Sequence, residues 1–181
     1  MRRLAVLILA ALLLQPPAGA DENGLALAVK AAYLVKVQPF ITWPATAFPN
    51  AGAPFAICVA GQDPFGSLLD RATAGLTFQG RPILVRRLPQ ASAAAGCQIL
   101  FLASSDPQMI RQSLAALRGQ PVLTVTDSMT EPGAQGILNF MVIDDRVRFA
   151  IDDDAAERSG LDISSKLLSL AVWVRHKGVK E

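Results

Sequence analysis

Histidine is nearly missing: His176, close to the C-terminus, is the only one in 181 residues. A Ser-His or Cys-His mechanism therefore has a single possible base, placed outside the expected core. Two cysteines, Cys58 and Cys97, together with that histidine supply too few of the ligands zinc takes. The run Asp152-Asp153-Asp154 has the acids a hard cation needs, but consecutive acids at a strand end read better as a solvated helix start. Gly61-Gln62-Asp63 and Gly133-Ala134-Gln135-Gly136 match neither the dinucleotide fingerprint nor the phosphate-binding loop, and are expected to be turns. No metal, cofactor or enzymatic activity is expected.

Long apolar runs are equally scarce. One exists, Leu4 to Leu14, and it sits between Arg2-Arg3 and the small residues Ala18-Gly19-Ala20. That order is a secretory signal peptide over residues 1–20, cleaved after Ala20. Gln15-Pro16-Pro17 break the run too early for a membrane anchor. The remaining residues, 21–181, are enough for a single domain with its own core. Charge of one sign is also lacking: without Arg2 and Arg3 the 17 basic residues become 15, against 15 acidic ones. No basic stripe remains for nucleic acid. The expectation is a soluble exported protein.

In an oxidising compartment two cysteines can pair. Cys58 lies in the apolar run Phe55 to Ala60 and Cys97 opens another, so adjacent strands would bring them within bonding range. A Cys58–Cys97 disulfide is favoured over two buried thiols because of the compartment.

The elements read as an alternation. Leu25 to Pro44 begins as a helix, with Leu25, Val29, Ala32 and Lys36 on one side and Tyr33 and Val37 near it, and ends at Pro39. Strands follow at Phe55–Ala60, Pro82–Leu88, Gln98–Ala103 and Pro121–Thr126, the second expected at an edge because Arg86-Arg87 and Pro89 blunt it. Helices start at Asp63-Pro64 and, capped by Ser104-Ser105-Asp106, at Pro107. Ile137–Ile143 and Val147–Ile151 alternate at period two around Asp144-Asp145, a β-hairpin. Beyond residue 154 a helix is expected, with Ile163, Leu167, Leu170 and Val174 on one face. The fold class is α/β: a single-domain three-layer α/β/α sandwich, its sheet largely parallel with a C-terminal antiparallel hairpin. Such a sheet could bind a small ligand outside its carboxyl ends, where Gly61, Asp63, Ser104, Ser105 and Asp127 would gather. Its exposed edges also allow a homodimer.

Four segments, AAYLVKVQPFITWP, FAICVAGQDPFG, CQILFLASSD and RFAIDDDAAERSGLDISSKLLSLA, make the chain similar to the YfiR-like periplasmic proteins. Arg148-Phe149, Gly160-Leu161 and Ser164 to Leu168 carry the most specific part of that resemblance. It implies a non-enzymatic repressor of an inner-membrane diguanylate cyclase, bound at the cyclase's periplasmic sensory domain and titrated away by an OmpA-like outer-membrane lipoprotein. Cyclic di-GMP and biofilm formation would be held low. The matching positions imply a partner surface built from Phe40, Trp43, Pro44, Arg148, Ala150, Asp152, Ala156, Asp162, Ser164 and Lys166.

Overall fold

The computed structural model describes residues 18–127 and 133–176, with side chains from residue 23 onward. The expected leader lies outside the described residues up to residue 17. The helices are α1 (Ala18–Lys36), α2 (Ser67–Thr73), α3 (Pro107–Ala116), α4 (Asp153–Arg158) and α5 (Ser165–Leu168). The strands are β1 (Ile41–Thr42), β2 (Phe55–Gly61), β3 (Thr77–Phe78), β4 (Arg81–Leu88), β5 (Ile99–Ala103), β6 (Leu123–Thr126), β7 (Leu138–Ile143), β8 (Arg146–Asp152), β9 (Asp162–Ile163) and β10 (Trp173–Arg175).

Eight strands form one sheet in the order β10-β8-β7-β6-β5-β2-β4-β3. Its middle, from β7 through β4, is parallel; β8 joins antiparallel, and β10 lies parallel to β8. β2 has no polar side chain and is buried along both faces, as a central parallel strand must be. Phe55, Ile57 and Val59 point to one face, beneath α1 and α2, in the larger core. Ala56, Cys58 and Ala60 point to the other, where Ile110 of α3 packs. Helices thus cover both faces of an α/β sandwich. The hairpin forms where the alternation placed it, and Asp144 and Asp145 both take positive φ (49° and 57°), as the tight two-residue connection requires.

Four local expectations are corrected. In α1 the buried side is Lys30, Ala31 and Leu34, continued by Val37 just past its end, while Leu25 and Lys36 face solvent. The stripe is rotated because Lys30 turns inward to an ion pair with Asp127. The second helix starts at Ser67, later than Asp63-Pro64, because the Asp63 carboxylate accepts from the Phe65 N–H at 2.7 Å and holds a turn there. Strand β4 is not the outermost: the two-residue β3 pairs outside it. The continuous C-terminal helix is replaced by α4, β9, α5 and β10. Gly160, at φ 69°, ends α4 in a left-handed step after which the Leu161 N–H bonds the Ala156 carbonyl. Ile163 then pairs with Ile41 instead of continuing a helix, and Leu170 is left 61% exposed.

Candidate functional site

The break at Gly160 creates a two-stranded ribbon apart from the main sheet. Ile41 pairs with Ile163 and Thr42 with Asp162, and the Ser164 N–H donates to the Phe40 carbonyl at 2.9 Å. Ile41 and Ile163 point inward to the larger core, so their neighbours face out. The Ser164 hydroxyl also accepts from the Leu167 N–H and caps α5, which aims Lys166 back across the ribbon. Its ammonium lies 5.8 Å from the centroid of the Phe40 ring, within cation–π range. Phe40, Pro44 and Ser164 are half-buried, whereas Asp162 and Lys166 are exposed. Five of the residues expected at a partner surface are thereby assembled into one amphipathic patch.

The other five lie elsewhere. Ala150 and Ala156 have no exposed surface and Trp43 only 9%, so their role is to pack what surrounds the patch; direct contact is closed to them. Asp152 is also buried: one carboxylate oxygen accepts from the Ala155 N–H at 2.9 Å, capping α4, and the other from Arg175 at 3.0 Å. It borders a cavity of about 730 Å³ between α3 and α4, whose lining includes Arg118, Arg158 and Arg175. Arg148 is exposed on the sheet face opposite Phe149, outside the ribbon.

Sequence reasoning missed the residue that seats this region. Gln98, fully buried just before β5, accepts from the Ala56 N–H at 2.7 Å and donates to the Ala47 carbonyl at 2.6 Å. Its own carbonyl accepts from the Trp43 indole at 3.1 Å and from the Leu123 N–H at 2.9 Å. A glutamine between two apolar runs gave the only hint. Next to it, Cys97 is joined to Cys58 with Cα atoms 6.0 Å apart; Cys58 lies on β2 as expected, while Cys97 stands in the turn just before β5.

The residues expected at a small-ligand site divide. Gly61, Ser104 and Ser105 line one cavity of about 290 Å³ at the carboxyl ends of β2 and β5. Asp63 instead takes the Arg87 guanidinium at 2.7 Å, and Asp127 takes the Lys30 ammonium at 2.6 Å. Both acids are committed to ion pairs. Arg87 also grips Asp70, and its hydrogen bonds hold that carboxyl below the usual range despite some desolvation. Near the ribbon, burial and the Glu157 charge push the Asp153 carboxyl up, opposed by His176 at 3.6 Å. No helix among the described residues is long and apolar enough to cross a membrane.

One family model, described as YfiR/HmsC-like, matches residues 27–172, a span that includes the ribbon, both core clusters and the disulfide. The chain that folds this patch against Trp43 and Gln98 therefore belongs to the YfiR/HmsC-like family.

Proposed function

We propose that the protein is a non-catalytic periplasmic regulator that binds the periplasmic sensory domain of an inner-membrane diguanylate cyclase and holds the cyclase inactive. Export through the leader over residues 1–20 and release by an OmpA-like outer-membrane lipoprotein complete this reading. The observation that carries it is the family match across residues 27–172. The ribbon supports it with a surface of suitable chemistry: an aromatic anchor, Phe40, beside an exposed cation, Lys166. Aromatic side chains at the centre of an interface commonly contribute most to binding, and a cation beside one selects an acidic counterpart.

Repression requires unequal affinity for two states of the cyclase, because equal affinity shifts no equilibrium however tight the binding. Taking a cyclase from almost wholly active to almost wholly inactive needs a ratio of about 10⁴. The test is deletion of the gene followed by measurement of cyclic di-GMP, with co-purification of the cyclase from detergent extract. A rise on deletion, restored by the intact protein, is expected. An unchanged level in cells that contain the cyclase would overturn the proposal.

A further inference from the structure

The sheet reverses its winding between β2 and β5. The chain leaves β2 to build β4 on one side of it and then returns to build β5 on the other. In open α/β sheets ligands settle outside the carboxyl ends at such a reversal. Here those ends are clamped together below the 290 Å³ cavity: the Gln62 N–H donates to the Ala103 carbonyl at 3.3 Å. Gly61 allows this, since at φ 96° any Cβ would strike the Ala103 carbonyl oxygen. The floor of the cavity is therefore fixed in place.

Its chemistry is neutral. No charged side chain lines it; the polar groups are the carboxamides of Gln62 and Gln90 and the hydroxyls of Ser104, Ser105 and Ser113. Among the described residues, the side chains of Gln62, Gln90, Ser105 and Ser113 have no hydrogen-bond partner, so their donors and acceptors are free for a ligand. An anion is disfavoured, because the adjoining N-terminus of α3 is already capped by the Asp106 carboxylate, which accepts from the Gln108 N–H at 2.8 Å. A cation would meet only the Asp106 carboxylate, already engaged as the cap of α3, since Asp63 is held by Arg87. The opposite wall is apolar: Leu102 and Ile110 are buried, while Met109 stands 56% exposed beside them. An exposed methionine is a flexible apolar side chain of the kind used on adaptable binding surfaces, able to cover the apolar face of a small ring.

We infer that this cavity binds an uncharged sugar ring, with the serine hydroxyls and glutamine carboxamides on its hydroxyls and Met109 against its apolar face. The volume is at the small end of ligand sites and fits a monosaccharide better than a drug-sized molecule. The site stands at the opposite end of the sheet from the ribbon, so its test does not depend on the cyclase.

The experiment is an amide NMR titration of the purified protein with N-acetylglucosamine, alongside glucosamine as the cationic sugar and glucuronate as the anionic one. Saturable shifts around Gly61, Gln90 and residues 104–110 are expected, with both charged sugars weaker by about tenfold or more. Ser113→Phe, which fills the cavity, should weaken binding to a similar degree. Met109→Ala, on the surface and harmless to folding, should weaken it several-fold by about 1 kcal/mol or less, read as the ratio of dissociation constants. Absence of saturable shifts at about 100 mM sugar, a hundredfold above a millimolar Kd, would overturn the inference. So would equal binding of a charged sugar, shifts confined to the cavity between α3 and α4, or unchanged binding in both variants.

Discussion

The indole N–H of Trp43 donates to the backbone carbonyl of Gln98 at 3.1 Å, and through this bond the loop carrying the ribbon is seated on the amino end of β5. Trp43 also meets the Phe55 ring edge-on at 5.1 Å. Trp43→Phe keeps most of the apolar area and loses one donor, while the Gln98 carbonyl retains the Leu123 N–H; a cost of about 1 kcal/mol is expected. Trp43→Ala should cost about 3–5 kcal/mol by leaving a cavity. Urea unfolding checks both, as a lower midpoint at constant slope.

The Cys58–Cys97 bridge links positions 39 residues apart. Closing a loop of that length restricts the unfolded chain and contributes roughly 3–4 kcal/mol. The double variant Cys58→Ser, Cys97→Ser should lose at least this much, since buried hydroxyls also lack the apolar character of sulfur. Thermal melts with and without reductant provide the check: reductant should lower Tm in the native chain and leave the variant unchanged.

Substitutions in the ribbon should separate binding from folding. Lys166→Glu changes an exposed position and is expected to cost about 1 kcal/mol or less in stability, whereas Phe40→Ala, half-buried against the core, should cost about 1–2 kcal/mol. If the patch grips the cyclase, each should raise cyclic di-GMP towards the deletion level while protein abundance holds. Ser169→Ala, whose hydroxyl donates only to the nearby Lys166 carbonyl, should leave the level unchanged.

Two carboxyls give stability opposite dependences on pH. Asp153 is raised by burial from 3.8, so the folded chain holds that proton more tightly than the unfolded one. Its effect is a loss of stability as pH climbs through the window just above 3.8, with no further change beyond. Asp70 is lowered by its hydrogen bonds from Arg87; its contribution is present above 3.8 and lost as pH falls through the folded value. Because Asp70 is about half exposed, that contribution is small. Unfolding free energies measured between about pH 3 and 6 should show Asp153→Asn flattening the upper slope and Asp70→Asn the lower one.

Period-two alternation around Asp144-Asp145 made the hairpin legible, and the short apolar run Phe55–Ala60 suited the buried strand it forms. The orientation of α1 was not legible. LALAVKAAYLV is apolar at almost every position, so several faces satisfy the helical period, and the choice depends on Asp127, distant in sequence. The ribbon escaped detection for a related reason: Ile163 and Leu167 have helical spacing, but Ile163 is claimed by Ile41 from the other end of the chain. Of the site, FITWP showed its aromatics without showing that Trp43 turns inward to Gln98 while Phe40 stays at the surface.

The Lys30–Asp127 pair spans 97 residues, and Tyr33 on the same helix rests on Phe140 and Phe149, later still. Ribosomes deliver the amino end first. The inner side of this helix can therefore meet α2 early, but it gains its seat on β7 and β8 only once those strands have followed, so one core is closed by segments from both halves of the chain.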